Sequence, residues 1–196
     1  IIAYTDTLLF PTSYAWEDGS DLALSWRHRF GDDWQGDRLS AQGQYVWTLW
    51  KAQSHQLVLG GIAGTSAGDR WLQGEFAVGG GTGMGLPRGY PLTQATGDYA
   101  LAGSIAYRLP IWRPYAGWSS SPFSFRQLVV EGFADAGQVS NDRIGDHNAD
   151  WYRSVGVGLF ANLDIWTLNM NPGLVWAQQL DGTKDSSLGL DLQMGW

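Results

Sequence analysis

Cysteine is absent from this chain of 196 residues, which removes disulfides and thiolate-held metal sites. No apolar run approaches the roughly 18 residues that a membrane-spanning helix needs. Charge is scarce, at 16% of residues, against roughly 25% in an ordinary soluble domain. Basic residues are the scarcer sign, 12 against 19 acidic, for a net charge of −7. That balance excludes the basic face of a nucleic-acid protein. Helical periodicity is found nowhere. The opening residues, Ile1-Ile2-Ala3-Tyr4, carry neither the basic region nor the cleavage site of a secretory leader; this leaves the compartment open. What the chain has instead is 27 glycines and 12 tryptophans, with 44% apolar residues overall.

Those apolar residues alternate. From Ser187 to Trp196, Leu188, Leu190, Leu192, Met194 and Trp196 oppose Ser187, Gly189, Asp191, Gln193 and Gly195, the period of a strand with one apolar and one polar face. Leu168, Met170, Leu174 and Trp176 oppose Asn169, Asn171 and Gly173, and Val155, Val157 and Leu159 oppose Ser154, Gly156 and Gly158. Tyr99, Leu101, Ile105 and Tyr107 oppose Ala100, Ala102, Ser104, Ala106 and Arg108. Tyr45, Trp47 and Leu49 oppose Gln42, Gln44 and Thr48, and Leu22, Leu24 and Trp26 oppose Ala23, Ser25 and Arg27. The pattern predicts an all-β chain of about ten strands, near residues 2–10, 20–30, 38–50, 55–64, 70–78, 98–109, 126–137, 151–163, 165–177 and 187–196.

Strands of about ten residues, tilted by about 45°, rise roughly 24 Å, close to the apolar thickness of a bilayer. Soluble strands usually run about five or six residues. Trp47, Trp50, Trp71, Trp112, Trp151, Trp176 and Trp196 fall toward strand ends, where interfacial girdles need rings with a polar tip. The polar faces are rich in Gly, Ser, Gln and Asn. Together these features predict an antiparallel transmembrane β-barrel with apolar residues facing lipid and small polar ones facing the lumen. A soluble barrel with an aromatic core that binds an apolar ligand is the alternative. Because an open sheet edge is costly in hydrocarbon, the ten strands either close alone or form the C-terminal part of a larger barrel.

Between the fifth and sixth predicted strands runs Gly79-Gly80-Gly81-Thr82-Gly83-Met84-Gly85-Leu86-Pro87-Arg88-Gly89-Tyr90, a loop tolerant of positive φ. Here the sequence resembles the bacterial surface antigen superfamily of outer-membrane assembly proteins and two-partner-secretion transporters. Phe76-Ala77-Val78-Gly79-Gly80 resembles the strand end before that family's signature loop, and Leu86-Pro87-Arg88-Gly89-Tyr90 its arginine-glycine-aromatic motif. Ser104-Ile105-Ala106-Tyr107-Arg108-Leu109-Pro110 resembles the following strand, and Phe133-Ala134-Asp135-Ala136-Gly137 the later FxDxG motif. The last strand ends in an aromatic, so Leu192, Met194 and Trp196 resemble a C-terminal assembly signal.

The resemblance covers about residues 70–196 and implies one barrel domain over 1–196, with the loop 79–97 folded into the lumen. It implies that Arg88, followed by Gly89 and Tyr90, pairs with Asp135 on the inner wall; an exposed loop arginine is the plain alternative. Alternation places Glu131 on the same side as Asp135. Where the family often has a glutamate, this chain has Ala106, and Glu131 or Glu75 is the expected substitute partner. Family barrels commonly have sixteen strands, so the chain reads as the last ten.

Covalent chemistry is not expected. Gly64-Thr65-Ser66-Ala67-Gly68 fits a nucleophile-elbow pattern, but the elbow needs a following helix, and a hairpin turn of small residues is expected instead. His28, His55 and His147 lack ligand spacing, and Asp142, Asp146 and Asp150 are expected in a solvated loop. No metal, cofactor or nucleic acid is implied. By resemblance the expected role is insertion or translocation of proteins at the bacterial outer membrane. The expected partners are lipid, substrate polypeptides or a passenger domain, and accessory subunits or a second copy. The rival roles are a membrane anchor or passive pore for another domain, and a lipolytic enzyme using Ser66.

Overall fold

The computed structural model describes residues 2–8, 18–30, 35–50, 54–68, 76–79, 87–91, 93–114, 116–117, 123–165, 168–181 and 185–195. Among these there is no helix. The strands are β1 (Ile2–Leu8), β2 (Asp18–Phe30), β3 (Gln35–Trp50), β4 (His55–Gly68), β5 (Phe76–Val78), β6 (Ala95–Gly97), β7 (Tyr99–Trp112), β8 (Ala116–Gly117), β9 (Phe123–Ser140), β10 (Trp151–Ile165), β11 (Leu168–Gln179) and β12 (Ser186–Gly195). Nine of them form the wall, in the order β1-β2-β3-β4-β7-β9-β10-β11-β12. Every neighbouring pair is antiparallel. β8 extends the edge of β9 beyond the end of β7, through Ala116↔Phe125 and Gly117↔Ser124. Among the described residues the sheet is open, with β1 and β12 at its two edges.

The alternation decides the faces. One face carries Leu22, Leu24, Trp26, Tyr45, Trp47, Leu59, Ile105, Val157, Leu174, Trp176, Leu188 and Leu190, all exposed; Leu190 is 83% exposed and Trp26 67%. The opposite face buries polar groups: Thr48, Gln56, Gln127, Glu131, Asp135, Ser154, Asn162, Asn171 and Gln179. In water this arrangement would be inside out, since apolar side chains normally leave solvent and buried polar ones need partners. Some find partners across the strands, whereas the Gln127 amide and the Ser154 hydroxyl make no side-chain hydrogen bond. Asn162 donates to Asn171 at 2.7 Å, and the hydroxyls of Ser25 and Ser40 lie 2.7 Å apart. The inner face is not wholly polar. Val46, Val58, Ala106, Val129, Phe133, Phe160, Val175 and Ala177 form a buried cluster on it, a patch that the small-polar reading of that face does not anticipate.

Four expectations need correction. The strand expected over 70–78 does not join the wall: its described part is β5, which pairs with β6 and leaves β4 to pair directly with β7. The reason is burial, because Phe76 and Val78 turn inward onto Ala100 and Val139 rather than outward. The wall therefore has nine strands, four before the loop and five after it. Second, among the described residues the nine strands stand open, so of the two alternatives they do not close alone. Third, Gly64–Gly68 is not a hairpin turn. It is the end of β4, held by Arg38↔Ser66 and Gly36↔Gly68 on β3 and by Thr65↔Tyr99 on β7. Fourth, the acidic loop is only partly solvated. Asp142 and Asp150 are exposed, but Asp146 is buried: its carboxylate accepts from the Asn148 amide at 3.1 Å and the Ser140 hydroxyl at 3.3 Å, while Gln138 donates to its carbonyl.

Candidate functional site

The chain leaves the wall after β4 and re-enters it at β7, and the described residues between them, 76–79, 87–91 and 93–98, lie against the inner face. Its base is the β5–β6 ribbon, with Phe76↔Gly97 and Val78↔Ala95 in register and the Gln94 amide donating to the Val78 carbonyl at 2.8 Å. The Ser66 amide donates to the Asp98 carbonyl at 2.7 Å and ties the re-entry point to β4. The Phe76 ring lies against Gly64, where any Cβ would collide with it, and the Arg38 guanidinium sits 4.0 Å from its centroid.

Pro87, Arg88, Gly89 and Tyr90 make the deepest contacts. Pro87 is fully buried. Arg88 meets Asp135 with two parallel bonds, Nε to Oδ2 at 2.8 Å and Nη2 to Oδ1 at 2.9 Å. Its backbone amide adds a third bond to the same carboxylate at 3.0 Å. Nη1 donates to Glu131 at 2.6 Å and Nη2 to the Ser104 hydroxyl at 3.2 Å. The guanidinium lies over the Phe133 ring, 3.4 Å from its centroid. The Phe133 ring in turn lies against Gly156 of β10. So the residues at 131, 133 and 135 of β9, all on one face by the two-residue period, receive the arginine as carboxylate, ring and carboxylate.

The second carboxylate oxygen of Glu131 accepts from Arg108 Nε at 2.7 Å. Ser104, from the same face of β7, donates to Asp135 at 2.6 Å. Two guanidiniums thus balance two carboxylates whose side chains are 3% and 0% exposed, the condition under which buried charge is tolerated. Burial works against the charge on Arg88, but hydrogen bonding and attraction from Asp135, then Glu131, outweigh it and raise its pKa above the ordinary arginine value. The guanidinium is therefore a fixed positive charge.

Gly89 and Tyr90 reach the other way, toward the terminal hairpin. Gly89 has φ +92, and a Cβ there would stand 2.8 Å from Cβ of Ala177 on β11. Its carbonyl accepts from Gln179 Nε2 at 2.9 Å. The Tyr90 hydroxyl donates to Asp181 Oδ2 at 2.7 Å and lies 3.1 Å from the Arg153 amide, which donates to it. Its ring meets Tyr152 edge-on, with centroids 5.5 Å apart. Burial first, then the bond to Asp181, push the Tyr90 hydroxyl above the usual tyrosine range.

Of the residues singled out in the sequence, the structure brings Arg88, Asp135 and Glu131 into one cluster and fixes Gly89 and Tyr90 beside it. Glu75 and Trp196 lie outside the described residues. Leu192 and Met194 are in β12, opposite Pro172 and Met170 of β11. Arg108, Ser104 and Phe133 stand in the quoted motifs without an assigned role, and Gln179 and Asp181 in none. Arg108 and Ser104 were legible as members of the polar face of β7; nothing in the sequence pointed to Asp181. The Ser66 hydroxyl faces the Asp98 carbonyl at 3.2 Å and carboxylate at 3.4 Å, an anchor for the loop base. Its extended backbone in β4 lacks the strand-to-helix turn of an elbow. Among the described residues, no three of His, Asp and Glu converge as a metal site. His28 bonds Asp37 at 2.9 Å and His55 bonds Tyr107 at 2.5 Å.

No family model matches the chain, and no curated protein or solved structure matches it.

Proposed function

We propose that the chain is wall and inner brace of a β-barrel in a bacterial outer membrane, and that it takes part in inserting or translocating proteins there. One observation carries this reading. The two faces of the sheet are inverted relative to a water-soluble protein, with Leu188, Leu190, Val157, Leu174 and Trp26 exposed and Gln127, Glu131, Asp135, Ser154 and Asn162 buried. A lipid-facing surface needs the first set and a lumen the second. Trp47, Trp112, Trp151 and Trp176 also lie on the exposed surface, as an interfacial girdle requires.

The transport part of the reading rests on the sequence resemblance and on the seated loop. A loop held by Arg88 and Tyr90 across the inner face fills space that a passive pore would leave open. The same brace suits a membrane anchor equally well, and that is the second reading. No chemistry is assigned to Ser66.

The test is reconstitution. The chain is folded into phosphatidylethanolamine–phosphatidylglycerol vesicles, floated on a density gradient and washed with carbonate. Retention in the bilayer is expected; a chain that stays monodisperse in buffer without detergent overturns the membrane role. For transport, an unfolded outer-membrane client is added to vesicles with and without the chain. Faster client folding is expected, and equal rates leave the anchor reading in its place.

A further inference from the structure

Two arginines stand directly opposite one another on the inner face. Arg27 of β2 is in register with Arg38 of β3, and the two-residue period sets both on the side away from Trp26 and Leu39, which are exposed on the outer face. Residues so paired have Cβ atoms about 4.5–5.5 Å apart, where like charges destabilise a sheet. Acidic residues that would break the pair are plentiful in this chain, 19 against 12 basic. Elsewhere they are used in that way: Arg88, Arg108 and Arg126 each meet a carboxylate. Arg27 is exposed and, among the described residues, has no ion pair or hydrogen bond from its side chain. The carboxylate nearest in register, Asp37, is on the outer face, where it meets His28 at 2.9 Å and Trp26 Nε1 at 3.1 Å.

The surroundings add a donor and a support. Two residues along each strand, on the same face, the hydroxyls of Ser25 and Ser40 lie 2.7 Å apart. That bond uses one of their two hydrogens, so one O–H remains to donate. The Arg38 guanidinium rests 4.0 Å from the Phe76 ring centroid, at the base of the inner loop. Two guanidiniums and a hydroxyl suit a tetrahedral oxyanion. A carboxylate, with a single charge, leaves one guanidinium unbalanced. A phosphate monoester carries about −1.5 to −2 at neutral pH, which balances both, and guanidiniums bind its oxygens through paired bonds.

We propose that Arg27 and Arg38, with the Ser25–Ser40 hydroxyl pair, form a binding site for a phosphate monoester on the inner face. The site lies on the face opposite Leu22, Leu24 and Trp26, so the phosphate is carried by a soluble molecule and not by a lipid. This goes beyond the membrane reading, and phosphate binding is measured without a bilayer, so either can fail while the other stands.

The test uses the chain folded in uncharged dodecyl maltoside micelles at low ionic strength. Glycerol 3-phosphate is the probe, and glycerate, with a carboxylate in place of the phosphate, is the comparison. Titration calorimetry is expected to show binding of the first and weaker binding of the second. Arg27→Gln and Arg38→Gln should each weaken it by about tenfold or more. Arg143→Gln, which removes an exposed arginine from the β9–β10 loop, should leave it unchanged. Without the probe, Arg27→Gln should unfold at the wild-type urea midpoint or above it, because the opposed charges are relieved. With saturating probe the wild-type midpoint should rise and that of Arg27→Gln should not. Equal affinity for glycerate, an equal loss in Arg143→Gln, or no binding by wild type overturns the proposal. A lower midpoint of Arg27→Gln without the probe also overturns it, since Arg27 would then serve the fold. Binding seen only when phosphatidic acid is mixed into the micelles overturns the soluble source.

Discussion

Phe133 is held between Arg88 and Gly156: the guanidinium stands 3.4 Å from the ring centroid, and the ring presses on a backbone with no Cβ. The cation is fixed on three sides, by the ring and by the carboxylates of Asp135 and Glu131. Removing it would leave two buried carboxylates with Arg108 alone. Breaking a buried pair in this way costs about 3–5 kcal/mol. Arg88→Ala is expected to lower the unfolding free energy by that amount, read as a lower urea midpoint at unchanged slope, and to open the 87–91 segment to protease. Arg88→Lys should recover little, because an ammonium cannot make the paired bonds to Asp135. Wild-type resistance in both variants would remove the bracing role.

Glycine substitutions separate close approach from mere flexibility. A Cβ at Gly156 would collide with the Phe133 ring and the Trp176 carbonyl, whereas a Cβ at Gly132 meets nothing within 4 Å. Gly156→Ala is expected to cost about 1–3 kcal/mol through overpacking, and Gly132→Ala nearly nothing. Thermal unfolding in micelles, followed by gel mobility, distinguishes them.

Tyr90 gives a pH dependence with a definite sign. Its folded pKa is raised, so the hydroxyl bond to Asp181 contributes stability that is fully present below the ordinary tyrosine value of about 10 and is lost as pH rises beyond it toward the folded value. Difference absorbance titration of wild type against Tyr90→Phe should show no Tyr90 ionisation near pH 10. Ionisation there would mean that the hydroxyl is not held. At neutral pH Tyr90→Phe should increase proteolysis of the loop without unfolding the wall.

The exposed face offers a test of its surroundings. Val157 is exposed on β10, and an exposed substitution in water usually changes stability by less than about 0.5 kcal/mol. Facing the bilayer midplane, an arginine costs about 2–4 kcal/mol. Val157→Arg is expected to show the larger loss in vesicles, measured as the shift in urea midpoint against wild type. A loss at the water level would place that face outside lipid.

Most of the wall was legible because a two-residue period survives in every long strand. Leu188 and Leu190, or Val155 and Val157, declare their face whatever surrounds them. Arg88 and its carboxylates were legible for a different reason. Glu131 and Asp135 share a face by spacing alone, and an inward arginine needs such partners. The failures have local causes. Residues 76–78 alternate like any strand, and only the inward packing of Phe76 on Gly64 shows that they belong to a ribbon inside the wall. Gly64–Gly68 has turn composition, but Gly64 is small because a ring lies on it. The Tyr90–Asp181 bond joins residues 91 apart, a distance over which no period carries information.

That separation has a consequence for biogenesis. Arg88 finds its carboxylates once the chain has reached β9, but Tyr90 and the Gly89 carbonyl find theirs only after β11 has been made and laid down. The loop thus docks in two stages, and the second waits until β11 and Asp181 are in place. A product that stops before β11 would carry a half-fastened loop, open to proteolysis.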